Sequence, residues 1–133
     1  MTRKLLILLL AYLLAFMNAT AHGAPGFTGS WDSKENGDFA FSLDLTQKGN
    51  RLEGYHSAVA LHGRRLDAVL PSDGPPSIVG IISGGVAKVR FQSGYSDATG
   101  EATITLHGNK LEWKITGSSG VHYLPESCVL YRQ

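Results

Sequence analysis

Five histidines, His22, His56, His62, His107 and His122, are the residues of this sequence best suited to metal or proton chemistry. They are dispersed along the chain. No H-x-H, H-x-x-x-H or C-x-x-C spacing occurs, so no short element gathers two ligands and no metal site is expected. The single cysteine, Cys128, has no intramolecular partner and lies in an apolar stretch, where it reads as a small buried hydrophobe. No G-x-S-x-G elbow is present, and the serines of Ser83-Gly84-Gly85 and Ser118-Ser119-Gly120 sit in turn-like contexts. Asp44, Glu53, Glu101 and Glu112 fall on outward positions of alternating segments, so they do not form an acid–base pair. Asp67, in Arg64-Arg65-Leu66-Asp67, is placed to pair with a neighbouring arginine in a structural role. No glycine-rich phosphate loop opens a helix. These patterns argue against an enzyme and against a bound cofactor.

The elements that must position these residues are strands. Phe39, Phe41, Leu43 and Leu45 take one parity while Ala40, Ser42, Asp44 and Thr46 take the other, the period of a strand with one buried face. Ala87, Val89 and Phe91 alternate with Lys88, Arg90 and Gln92, and Leu111, Trp113 and Ile115 alternate with Glu112, Lys114 and Thr116. Ala102, Ile104 and Leu106 repeat the pattern. Shorter strands are expected at Leu66, Ala68 and Leu70, at Ile78, Gly80 and Ile82, and over Ser127 to Arg132. On the segment Leu52 to Ala58, His56 shares its parity with Leu52, Gly54 and Ala58, opposite to Glu53 and Tyr55; the pattern allows either set to face inward, and the first would put His56 inside. Lys48-Gly49-Asn50 and His107-Gly108-Asn109 spell hairpin turns, because Gly and Asn tolerate the left-handed backbone that such turns need. The spacing predicts an all-β fold: a single antiparallel up-and-down β-barrel of eight or nine strands, closed so that no edge is left bare.

The start of the chain reads differently. Arg3 and Lys4 precede an uncharged run from Leu5 to Met17, and Ala19-Thr20-Ala21 offers a small-x-small cleavage site. This is the pattern of a secretory signal peptide over residues 1–21, as a helix, with the barrel domain over residues 22–133. An apolar run of 13 residues is short of the ~20 that span a bilayer. A secreted or periplasmic protein with no membrane anchor after cleavage is expected. Removing Arg3 and Lys4 from the twelve basic residues leaves ten against eleven acidic ones, so no strong field of one sign points to nucleic acid.

Gly29-Ser30-Trp31 resembles the G-x-W signature on the first strand of lipocalins, fatty-acid-binding proteins and avidins, the calycin-like barrels. The resemblance implies that Gly29 and Trp31 close one barrel end and that Arg132, on the last strand, packs across the tryptophan. Leu52 to Val59, Val89-Arg90-Phe91 and Thr99-Gly100-Glu101 are similar in pattern to the third, fifth and sixth strands of the avidin group. That likeness implies ligand contacts at Tyr55 and Ser57. Phe91 stands where avidins carry a ligand-stacking tryptophan, so the likeness does not extend to biotin. Ser93-Gly94-Tyr95 has the residue types, in a different spacing, of a loop used by small periplasmic lysozyme inhibitors, and their cysteine pair is missing.

Strict alternation of a nine-stranded meander places Pro71–Pro76, Ser93–Gly100 and Gly117–Glu126 at one end, bringing Tyr95, His122 and Tyr123 together. The expected function is a non-enzymatic binding module for a small, partly apolar ligand, with Tyr55, His56, Ser57, Phe91, Tyr95 and His122 as candidate contacts. The alternative is a protein-interaction module, such as a periplasmic inhibitor of a lysozyme-like hydrolase. The partner is accordingly a small molecule or an envelope protein.

Overall fold

A computed structural model of the chain describes residues 26–34 and 38–133. The signal-peptide reading of residues 1–21 lies outside the described residues. The described chain is all-β. Its nine strands are β1 (Gly29–Ser33), β2 (Ala40–Lys48), β3 (Arg51–Ala60), β4 (Arg65–Val69), β5 (Ile78–Ser83), β6 (Val86–Gln92), β7 (Thr99–His107), β8 (Lys110–Ser119) and β9 (Ser127–Arg132). A single 3-10 turn, Pro71–Asp73, separates β4 from β5.

Eight of the strands form a closed antiparallel barrel in the order β2-β1-β9-β8-β7-β6-β5-β3, with β2 pairing β3 to complete the ring. The ninth, β4, is added outside that ring. β3 serves two partners on one side: Arg51 to Gly54 pair with β5, and His56 to Ala60 pair with β4. β4 and β5 therefore both run antiparallel to β3, and the strict alternation of connections breaks between them. The segment that carries Pro71–Pro76 consequently runs beside the wall of the barrel instead of joining the other two long loops at one end. The Tyr55 hydroxyl donates to the Gly74 carbonyl at 3.1 Å, and the Gln92 N–H donates to the Ser77 carbonyl at 2.9 Å.

The two barrel ends differ in kind. One carries three tight turns, at Gly49, Gly84 and Gly108, each glycine in the left-handed region. The other carries the β6–β7 loop (93–98), the β8–β9 loop (120–126) and the β3–β4 turn. In that turn Leu61 and His62 have φ of 53° and 57°. Non-glycine side chains rarely adopt this conformation. The turn is held by the His62 N–H on the Asp38 carbonyl at 3.2 Å and by the His62 ring 3.1 Å from the Asp38 carboxylate.

Alternation explains the core. Phe41, Leu43 and Leu45 of β2, Ala87, Val89 and Phe91 of β6, and Leu111, Trp113 and Ile115 of β8 all point inward and are buried. Rings run through the middle of the barrel: Phe41 and Phe91 lie 5.2 and 6.0 Å from Trp113. Burying each such side chain contributes about 1.5–3 kcal/mol. At the tight-turn end Trp31 is fully buried, and the Arg132 guanidinium lies 4.2 Å from its ring centre. Arg132 also donates to the carbonyls of Thr28 and Gly26, both at 2.7 Å, and to Asn109 in the β7–β8 turn. A Cβ at Gly29 would meet that guanidinium at 3.2 Å.

Candidate functional site

The polar centre of the molecule is Asp67. Its strand, β4, turns Leu66 outward at 61 % exposure and Leu70 outward beyond its end, while Asp67 is completely buried. A buried carboxylate is costly unless its lone pairs are filled. Here Oδ1 accepts from the His56 Nε2–H at 2.9 Å and from the Gly94 N–H at 2.7 Å. Oδ2 accepts from the Ser93 hydroxyl at 2.6 Å and from the Tyr123 N–H at 3.0 Å. Burial pushes the Asp67 carboxyl up, but these four donors together outweigh it and hold it well below the usual carboxylate range. Among the described residues no arginine pairs with Asp67; its chargeable neighbour is His56.

The network joins four parts of the chain. His56 reaches in from β3 and its Nδ1 lies 2.8 Å from the Ser77 hydroxyl, just ahead of β5. A carboxylate only accepts, so Nε2 carries the proton, and in the neutral ring Nδ1 accepts from Ser77. Ser93 Oγ accepts in turn from the N–H groups of Tyr95 at 3.0 Å and Ser96 at 3.3 Å, which shapes the β6–β7 loop. The Ser96 hydroxyl donates to the Val121 carbonyl and so ties that loop to the β8–β9 loop. Gly94 is required for the approach: a Cβ there would collide with the backbone of Ala68 on β4.

Ser77, His56 and Asp67 are thus linked as nucleophile, base and orienting acid are linked in serine hydrolases. Two features set the arrangement apart. The ring is reversed, since in the hydrolases Nε2 faces the serine. Ser77 is also only 4 % exposed, with His56 at 2 %, so no acyl group reaches the hydroxyl in this conformation. The relay can pass a hydrogen bond from Ser77 to the carboxylate, shut away from solvent.

The candidate contacts of the sequence do not converge on one cavity. His56 and Phe91 are inside and packed. Tyr55 and Ser57 lie on the outer wall, where they line a hollow of about 160 Å³ with Asp32, Asp44 and Leu70. Tyr95 and His122 are at the loop-bearing end. There the Tyr95 and Tyr123 rings meet edge to face at 4.8 Å, and His122 packs edge-on against Phe91 at 5.2 Å. The buried His122 Nδ1 has no hydrogen-bond partner among the described residues. The charged form of the exposed Arg65 guanidinium is favoured by Tyr123 first and by Tyr95 to a lesser degree. Val121 and Leu61 stand exposed on the same rim.

Sequence reasoning reached the rim residues and His56 but gave no role to Ser77 and only a local ion pair to Asp67. The signal for Asp67 was its odd parity between Leu66 and Ala68. Its four donors come from residues 11 to 56 positions away and leave no local trace. Among the described residues no group of three or more His, Cys, Asp or Glu side chains is placed to hold a metal ion. No family model, no curated protein and no solved structure matches the chain.

Proposed function

We propose that this chain is an exported, non-enzymatic, calycin-like binding module that works through its loop-bearing rim and docks a protein of the cell envelope. The observation that carries the reading is the Tyr95–Tyr123 pair, held in place from below by Asp67 through Ser93, Gly94 and the Tyr123 N–H. Tyrosine and arginine are favoured anchors of protein interfaces, and an anchor already fixed before binding loses little entropy on docking. Tyr95 is 48 % exposed and Val121 60 %, so both offer apolar surface to a partner. Packing of Trp31 under Arg132 supports the calycin likeness. A lysozyme-like hydrolase is the partner class the reading names, with the Ser93-Gly94-Tyr95 loop as the inserting element.

The small-ligand reading has less support. The interior positions His56 and Phe91 are occupied by packing, and the outer hollow at Tyr55 and Ser57, about 160 Å³, is below the ~300 Å³ of ordinary ligand sites. Native mass spectrometry of the protein purified from its own envelope separates the two. A protein adduct that disappears in Tyr95→Ala, together with inhibition of a lysozyme-type glycosidase that the same change abolishes, is the expected result. A bound small molecule retained by Tyr95→Ala would overturn the rim reading.

A further inference from the structure

The wall opposite β2 carries a second feature, independent of the rim. β7 and β8 slip register between Glu101 and Ala102: Glu101 faces Gly117 while Ala102 faces Ile115, so Thr116 is an extra residue on β8. A bulge of this kind bends its strand and re-aims side chains. At this point the outer wall of β6, β7 and β8 is hollowed over about 510 Å³, lined by Lys88, Arg90, Glu101, Thr103 and Thr116 among others. A second hollow of about 230 Å³ continues it and shares Arg90 and Glu101. The combined trough is large enough for a small ligand.

Its chemistry is basic and hydroxylic. Lys88 lies opposite Thr103, and Thr103 opposite Lys114, so two ammonium groups flank one hydroxyl in a single row across the sheet. Arg90 is two residues from Lys88 on the same face, about 7 Å along the strand. Among the described residues, Lys88, Arg90 and Lys114 form no salt bridge. Glu101 faces Arg90 in register, yet the two side chains are not within bridging distance. The lining of the trough holds two cations, Lys88 and Arg90, and one carboxylate, Glu101, a local excess of one positive charge with Lys114 standing beside it, on a chain whose net charge is near zero.

We propose that this trough is a binding site for a phosphate-bearing anion, with Lys88 and Arg90 contacting its charged oxygens and Thr103 and Thr116 donating from the floor. An arginine fork and a lysine point charge two residues apart suit a ligand with more than one anionic oxygen group. Glu101 weakens the site and so sets a ceiling on its affinity.

The test is an amide NMR titration of the purified protein with inorganic pyrophosphate, beside co-sedimentation with vesicles of phosphatidylglycerol in phosphatidylcholine. Saturable shifts centred on Arg90, Thr103 and Thr116 are expected. Lys88→Gln and Arg90→Gln each weaken binding about three- to fivefold, and Glu101→Gln strengthens it by a similar factor. Binding weakens as salt rises. Pyrophosphate binding without vesicle binding identifies a soluble phosphate compound as the source, and vesicle binding identifies a headgroup. These side chains are exposed, so melting curves of the variants stay unchanged and misfolding does not confuse the result. No saturable shift with either probe, or shifts indifferent to Lys88→Gln and Arg90→Gln, overturns the proposal.

Discussion

The carboxylate of Asp67 accepts a hydrogen bond from the backbone N–H of Tyr123 at 3.0 Å, across 56 residues of sequence. The same oxygen holds the Ser93 hydroxyl at 2.6 Å. One side chain on the extra strand therefore fixes the position of both loops that carry the rim tyrosines.

Asp67→Asn keeps the shape but offers one acceptor oxygen and two unwanted donors to four groups that all donate. It is expected to cost about 2–4 kcal/mol, since buried donors lose their partner. Urea denaturation measures the loss. Amide exchange in residues 94–96 and 121–123 should quicken far more than in the β7–β8 hairpin, and uniform quickening would count against a hub role.

Acid should find the same residue. Asp67 titrates lower in the fold than in the unfolded chain, whose value is about 3.9. Its contribution is therefore complete above the unfolded value and is lost as pH falls through the folded one. Stability measured from about pH 5 downward should fall more steeply in the native protein than in Asp67→Asn. Parallel curves would mean the carboxylate contributes no net linkage.

Trp31→Ala truncates a fully buried ring and is expected to destabilise by about 3–5 kcal/mol. A double-mutant cycle with Arg132→Ala should show coupling of about 1 kcal/mol, because the guanidinium stacks on that ring across the β1–β9 seam. Additive effects would show that the contact is incidental to closure.

Gly94→Ala introduces one methyl group where the Ala68 backbone already stands. The β6–β7 loop must move off β4, which breaks the Gly94 N–H bond to Asp67. A loss of about 1–3 kcal/mol is expected, with Tyr95 separating from Tyr123 in NMR contacts. Gly49→Ala, where nothing stands within 4 Å of the added carbon, lacks that clash and should leave the tyrosine pair untouched.

Much of the barrel was legible because a closed sheet with one buried face writes its geometry into alternate residues. β2, β6 and β8 follow their apolar parity without exception from Phe41 to Leu45, Ala87 to Phe91 and Leu111 to Ile115. β4 breaks the rule. Its Leu66 faces out and its Asp67 faces in, because the inward position is polar and is satisfied by groups brought from other parts of the chain. Local hydrophobicity cannot report a donor that arrives from β3 or from the β8–β9 loop. The same cause hid Ser77. The Pro71–Pro76 segment was misplaced for a topological reason: a strand that pairs beside the ring, and not within it, reverses the alternation of every connection after it.

The β1–β9 seam has a mechanical consequence. It comprises three register pairs, Trp31 with Arg132, Asp32 with Tyr131 and Ser33 with Leu130, and the two strands are antiparallel. A force drawing Gly26 and Gln133 apart would act at the same barrel end and peel the seam pair by pair, as a zipper opens, instead of loading all its bonds in shear. The Gln133 N–H bond to the Ser30 carbonyl and the Arg132 fork to Gly26 and Thr28 are the first elements under tension. These few bonds then set the force at which the barrel begins to open, while the tyrosine rim lies at the far end from the load.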